Sequence, residues 1–331
     1  IEEINRTLAF TTLSVFAICV LASAVPAFLL SARLNRPLNM LRQGMDEVSR
    51  GNLQAHIPAI HTGDEFESLI LQFNRMADGL SEGERMKQSL ELAREIQQKL
   101  LPKESPRLPG FEVSGHVEYC DETGGDFYDF IENPGGTRDR LGIAVGDVTG
   151  HGIAAALLMA SVRSALRSRA DHYPERLDLL LRTINVSMVR DTEQRSLVTL
   201  AYGVLDARAR TFLYTSAGHE SVLWFRAATG AIEELKSTGL PLGILEEAEF
   251  PQAGPVKLAA GDLLVIGTDG IREAFDPAGD QFGSARFQSL VKENAGKPAA
   301  GVHAAIVAGV REFCGGGAPH DDITLVVVKA L

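Results

Sequence analysis

Six aspartates in this chain sit where apolar, strand-like runs begin or end. Asp147 closes GIAVGDV and runs into TGHG; Asp126 and Asp129 follow a glycine pair in GGDFYD; Asp269 ends VIGTDG; Asp321 and Asp322 open HDDITLVVVK. Taken singly, such an acid is a turn former or a helix cap. Taken together they have a chemical use. Strand ends of a two-sheet core converge on one rim, where gathered carboxylates repel one another and several must protonate unless cations neutralise them. An all-oxygen donor set selects hard divalent ions such as Mg²⁺ or Mn²⁺. His151, His219 and His320 lie beside these acids. They are candidate proton donors to a leaving group, but histidines bonded to turn backbone are the commoner case, and the reading favours that role for His151 and His219. Gly124, Gly125, Gly150, Gly152 and Gly218 are read as tight turns that let backbone approach the acids, and Trp224 as core.

The elements that must position these acids are legible as patterns. Strands are expected in FEVSGHVEY, DFYDFIE, RLGIAVGDV, SLVTLAYGVLD, TFLYTSAG, SVLWFR, DLLVIGTD and DITLVVVK. Helices are expected over Ile153 to Ser168, Pro174 to Arg190, Ser284 to Asn294 and Pro298 to Phe313. Strands come as hairpins and helices as pairs, so the fold class is α+β, with antiparallel sheets covered by helices and no doubly wound parallel sheet.

Upstream the pattern differs. The run from Thr7 to Leu30 has no charge and is long enough to span a bilayer as a helix, with Pro26 as a tolerated kink. Glu2 and Glu3 precede it while Arg33, Arg36 and Arg42 follow, which places everything downstream in the cytoplasm. The chain begins with Ile, as a fragment or processed chain would. After Pro37, read as a first helical turn, Leu38, Leu41, Met45 and Val48 repeat at three-four spacing; beyond the connector QAHIPAIHTGD, Phe66, Leu69, Phe73, Met76 and Leu80 do the same. These paired seams, with TGDEFESLILQFNRMADGL in the second, resemble a HAMP relay module. That resemblance and the seams imply a parallel dimeric bundle. A further seam, Met86, Leu90, Ala93, Gln97 and Leu100, runs out of step with Leu80 and is expected as a coiled-coil linker. Pro102, Pro106 and Pro109 then end the helix. The expected domains are a transmembrane helix at 7–30, HAMP at 31–84, the linker at 85–101 and a globular domain at 102–331. Net charge is −11 and no basic groove is visible, which argues against nucleic acid as a partner. Cys19, Cys120 and Cys314 are too far apart for a metal motif and are read as reduced thiols.

The ordered set GGDFYD, VGDVTGHG, TSAGH, STGLPLGI, TDGIREAFD and HDDITLVVVK, together with AREIQQKLLP before it, resembles the SpoIIE/RsbU-type branch of the metal-dependent serine/threonine phosphatases (PPM), relatives of protein phosphatase 2C. The resemblance implies two antiparallel sheets packed as a sandwich between helical layers, and two divalent cations, Mn²⁺ or Mg²⁺. By that resemblance Asp147 bridges the two metals, Val148 offers a backbone carbonyl where the family has Gly, Asp126 binds the second metal, and Asp269 and Asp321 hold the first. Asp322, where many relatives have Asn, is a supporting residue and possible ligand, and Asp129 a possible water-mediated one. No basic motif matches the phosphate-binding arginine of the eukaryotic relatives.

The resemblance further implies hydrolysis of phosphoserine or phosphothreonine by a metal-activated water. Its implied substrate is a STAS-type anti-sigma-factor antagonist, and its implied setting a self-dimer anchored in the inner membrane. Reorientation of the linker helices is expected to move the helix at Ile153 to Ser168, and with it Asp147. The competing readings are a catalytically silent PPM-fold interaction module and, against the net charge, a carboxylate-metal nuclease.

Overall fold

The computed structural model describes residues 2–61, 63–150, 152–191, 197–316 and 320–331; His151 lies outside the described residues. The chain divides into two compact units, Ile1–Ser89 and Leu90–Leu331.

The first unit holds α1 (Glu2–Ser49) and the start of α2 (Glu65–Leu100). By length and composition α1 is able to cross a membrane, its most apolar window having a mean hydropathy of 2.5. It runs unbroken through Pro26 and Pro37, so Pro37 is not in the first turn of a separate helix. A proline forfeits one backbone hydrogen bond, and the turns on either side keep theirs. α2 opens on a cap: Asp64 Oδ1 accepts the Phe66 N–H at 3.1 Å and Glu67 Oε2 accepts the Gly63 N–H at 2.9 Å. In the connector the Asn74 amide donates to the Ile57 carbonyl and accepts its N–H, both at 2.9 Å. That clamp seats Ile57 on Leu41, Ile70 and Phe73, the small core of this unit. Leu38, Met45, Leu69, Met76 and Leu80, from the same two seams, remain exposed in the single chain.

The second unit is built on two five-stranded antiparallel sheets. One is ordered β1 (Phe111–Glu118), β10 (Ile323–Ala330), β9 (Leu263–Gly267), β6 (Val222–Arg226) and β7 (Ala231–Leu235). The other is ordered β2 (Phe127–Glu132), β3 (Arg140–Val148), β4 (Val198–Asp206), β5 (Thr211–Ala217) and β8 (Ala253–Lys257). Strand alternation divides the core into three layers. On β3, Leu141, Ile143 and Val145 enter the cluster between the sheets, while Ala144 and Val148 face the helices α3 (Gly152–Ala170) and α4 (Leu177–Asp191). On β10, Val326 and Val328 join the central cluster, while Leu325 and Val327 pack under α5 (Gly283–Asn294) and α6 (Ala299–Phe313). The result is the expected α+β sandwich between helical layers. α4 begins at Leu177 and not at Pro174. Two strands were not expected, β7 and β8, and both lie at sheet edges. The Gly254–Pro255 pair of β8 reads as a turn, and an edge strand is where a sheet tolerates it.

Along the linker seam burial is uneven in the single chain. Within the second unit, Gln97 is buried and Leu90, Ala93 and Leu100 are half-buried, while Leu92 and Ile96 are exposed. The seam therefore faces this unit's own loops, because Gln97 has a hydrogen-bonding partner there.

Candidate active site

Register brings the acids to one rim. Phe127 pairs with Gly146, so the start of β2 meets the end of β3; Leu325 pairs with Gly267, so the start of β10 meets the end of β9. Asp126, Asp147, Asp269, Asp321 and Asp322 all sit just inside or just outside those strand ends. The two sheets are joined at this rim, where Thr268 Oγ1 donates to Asp126 Oδ2 at 2.7 Å. A cleft of about 530 Å³ opens above, walled by Asp147, Asp269, Asp321, Cys120, Thr199 and His320, among others. Its described wall carries no lysine or arginine.

The acids raise one another's pKa values. Burial, then the Asp269, Asp321 and Asp322 carboxylates, push Asp147 up to about 7, with a hydrogen bond to Asp126 opposing. Asp126 is held well above the usual carboxylate range by burial and by Asp147 and Asp322, against the hydrogen bond from Thr268. Burial and Asp321 raise Asp269 as well. Such crowding of oxygen donors fits hard divalent cations, which would relieve the repulsion that now favours protonation.

The consequence for stability is measurable. Asp147 has a folded value above the ordinary carboxylate value, so its contribution is fully present below about pH 4 and is lost as pH rises through its folded value. The melting temperature of the metal-free chain is expected to fall between about pH 5 and about pH 8, and Mn²⁺ to raise it more at the higher pH. Thermal scans with and without Mn²⁺ check this; an equal metal effect at both pH values would contradict it.

Asp322 is not aimed at the cleft. Its Oδ1 accepts the Cys120 N–H at 2.9 Å, and its Oδ2 accepts the N–H of Gly125 at 3.0 Å and of Asp126 at 3.4 Å. It thereby shapes the loop that carries Asp126. A Cβ at Gly124 would collide with this carboxylate, and one at Gly125 with the Val148 carbonyl oxygen, so both glycines are required by close approach. The Val148 carbonyl thus faces the Asp126 loop.

Asp129 is not brought to the cluster. It is 0% exposed, with Oδ2 3.1 Å from Arg163 Nε and Oδ1 2.6 Å from Arg167 Nη1. The reason is strand alternation: Phe127 and Ile131 of β2 face α3, and Asp129, between them in register, faces it too. As a candidate ligand it is withdrawn, both oxygens being held by arginines of α3.

His219 is buried, with Nδ1 2.9 Å from Thr199 Oγ1, and burial followed by Arg272 lowers its pKa to about 3. A neutral imidazole so placed orients Thr199 and is not a proton donor. His320, edge-on to Phe275, stays exposed on the cleft wall.

Sequence reasoning missed two residues here. The Cys120 thiol and oxygens of Asp321 and Asp322 lie within 4.8 Å of one another. Gln97 of α2, 3% exposed, donates from Nε2 to the Gly124 carbonyl at 2.7 Å and accepts the Gly124 N–H at 3.3 Å. The only signal was a polar residue at a seam position. Replacing it by Leu leaves a buried peptide group unpaired, a penalty of about 1–3 kcal/mol borne by the Asp126 loop. Gln97→Leu is expected to weaken Mn²⁺ binding about tenfold, read by isothermal calorimetry. Unchanged affinity would free the loop from this control.

Comparison with known proteins follows the same division. A family model described as Stage II sporulation protein E (SpoIIE) matches residues 137–331, and a HAMP domain model matches residues 29–82. The phosphoserine phosphatase RsbU of Bacillus subtilis is 27% identical over 190 residues, which is 57% of this chain and 54% of that protein. Protein IcfG of Synechocystis is 28% identical over 281 residues, 75% of this chain and 42% of that protein. The chain spans about half the length of the curated relatives it matches. The solved SiaA-PP2C domain of Pseudomonas aeruginosa aligns with a TM-score of 0.64 at 26% identity, covering 75% of this chain and 98% of that domain. A structure of RsbU and RsbW domains from Mycobacterium tuberculosis aligns with a TM-score of 0.55 at 26% identity, covering 68% of this chain and 61% of that one.

Proposed function

Since this chain belongs to the SpoIIE family of PPM-type serine/threonine phosphatases, we propose that it is a membrane-anchored, metal-dependent protein phosphatase regulated through its HAMP region. The observation that carries this reading is the convergence of Asp126, Asp147, Asp269 and Asp321 on one rim, with Asp322 organising the loop beneath. Asp147 would be shared by two cations, Asp126 and the Val148 carbonyl would complete one site, and Asp269 and Asp321 the other. When bound, Mn²⁺ or Mg²⁺ supplies positive charge for the phosphate oxygens and acidifies a water for attack on phosphorus. The chain's part is to gather the carboxylates at one rim, where bound cations would keep them ionised, and to leave the cleft open to a phosphoserine side chain. His320, exposed on the cleft wall, would hand a proton to the departing serine oxygen.

The substrate we propose is a phosphorylated STAS-domain anti-sigma-factor antagonist, on the likeness to the phosphoserine phosphatases RsbU and RsbP. Anchorage in the inner membrane through 7–30, with the catalytic unit cytoplasmic, rests on the apolar helix and the arginines that follow it. A parallel homodimer is supported by Leu38, Met45, Leu69, Met76 and Leu80, which one chain leaves exposed, and by Leu92 and Ile96 on the linker. The bond from Gln97 to Gly124 makes the Asp126 loop, more directly than α3, the point where a linker movement would act.

Phosphate release from the phosphorylated STAS protein by the full chain in nanodiscs, with and without Mn²⁺, tests the reading. Release only with metal is expected. No release from that protein or from p-nitrophenyl phosphate at any Mn²⁺ concentration would return the chain to a silent interaction module.

A further inference from the structure

The turn STGLPLGILEE, from Ser237 to Glu247, presents large apolar side chains to solvent beside the acid cleft. Leu240 is 50% exposed, Ile244 37% and Leu245 56%, while Leu242 between them is fully buried. A loose loop would fold such side chains inward. This one is pinned by its backbone at three places. Gly239 N donates to the Ser216 carbonyl at 2.9 Å. Leu242 exchanges both backbone bonds with Val198, at 2.8 and 3.2 Å. The buried Asn185 of α4 accepts the Gly243 N–H at 2.9 Å and donates to the Leu245 carbonyl at 2.7 Å. The ridge is thus held rigid, its ordering cost met on folding rather than on binding.

Its position is set by register. Val198 pairs with Val148, and Thr199, on the cleft wall, pairs with Asp147. The segment from Gly239 to Leu242, bridged to Ala217 and Val198, therefore continues the sheet beside β4 at the end that carries the acids, which puts the exposed Leu240, Ile244 and Leu245 on a turn at that end. Glu246, Glu247 and Glu249 border them and are exposed, Glu246 being paired with Arg190 at 2.9 Å.

We propose that Leu240, Ile244 and Leu245 form the docking ridge for the folded protein that carries the phosphoserine, and so decide which phosphoprotein is accepted. The occupant is the STAS-type substrate, so this inference rests on the substrate reading above. It would meet the ridge with an apolar patch next to its phosphorylated residue, edged by basic groups that face Glu247 and Glu249. An apolar centre with a charged rim is the usual anatomy of such a contact, and few side chains carry most of its affinity. The described cleft wall carries no lysine or arginine, which leaves selectivity for one phosphoprotein to contacts outside it.

The test is the double variant Leu240→Asp/Leu245→Asp in the full chain, in nanodiscs with saturating Mn²⁺, assayed on the phosphorylated STAS protein and on p-nitrophenyl phosphate. Both side chains are exposed, and p-nitrophenyl phosphate, too small to reach the ridge, reports an intact active site. The expected result is a loss of at least about tenfold in kcat/KM on the protein, carried by KM, with the small substrate unchanged within about twofold. The milder Leu240→Ala/Leu245→Ala pair is expected to fall between. Equal losses on both substrates, or no loss on either, overturn the proposal. A fall in mass by light scattering with equal losses on both substrates gives the ridge to a second copy of this chain instead. If the unaltered chain hydrolyses p-nitrophenyl phosphate but not the STAS protein, the substrate reading falls and the ridge's proposed occupant with it, while the phosphatase reading stands.

Discussion

Asp147→Asn is expected to lower metal-dependent phosphate release by about a thousandfold or more, on p-nitrophenyl phosphate and on protein alike. The end of β3 carries a carboxylate close enough to Asp126, Asp269, Asp321 and Asp322 to feel all four. Taking its charge away weakens whatever cations the rim holds and leaves the remaining acids mutually repelling when metal binds. The same substitution relieves crowding in the metal-free protein, where burial and like charges already favour the protonated form. Its metal-free melting temperature near pH 8 should therefore equal or exceed that of the unaltered chain, while the rise on adding Mn²⁺ is largely lost. Phosphate release and thermal scans on one preparation separate these effects. Activity above a tenth of normal, with an unchanged response to Mn²⁺, would make Asp147 an ordinary turn residue.

Asp129→Ala is expected to act on the fold and not on the metal. The substitution strands Arg163, whose side chain is 13% exposed, beside an apolar layer, while Arg167 still reaches water; breaking a buried ion pair from one side costs about 3–5 kcal/mol. In a domain of this size that is a fall in melting temperature on the order of 10 °C. The loss should be the same with and without Mn²⁺, and Mn²⁺ affinity measured below the melting range should hold. A ligand role predicts the opposite pattern, with unchanged metal-free stability and weakened Mn²⁺ binding. Asp129→Asn, which keeps the volume and one acceptor, should lose less than Asp129→Ala.

The two aspartates also mark where reading by sequence stops. In GGDFYD both acids carry the same signal, a carboxylate near glycines at the head of a strand, and by type and spacing both are candidate ligands. Side-chain alternation along β2 sends Asp129 to α3, where Arg163 and Arg167 meet it. Nothing local to β2 reveals which face α3 covers. Asp322 is a similar case: its work is to accept backbone N–H groups of Cys120, Gly125 and Asp126, almost two hundred residues away in the chain.

By itself the sequence determined the elements and their order. Period-two runs specify the long central strands, three-four spacing the helices, an uncharged stretch the candidate span, and acids at strand ends the rim where charge would gather. These are short-range properties, set by backbone geometry and burial of one face. The edge strands β7 and β8 escaped because exposed edges carry glutamates, glycine and proline, and so lack alternation. Tertiary structure alone decided which acids meet, that Gln97 closes on Gly124, and that Leu240, Ile244 and Leu245 stay in solvent on a pinned turn. Each of these depends on strand register and on which helix covers which face, and those are fixed by packing between segments far apart in the chain.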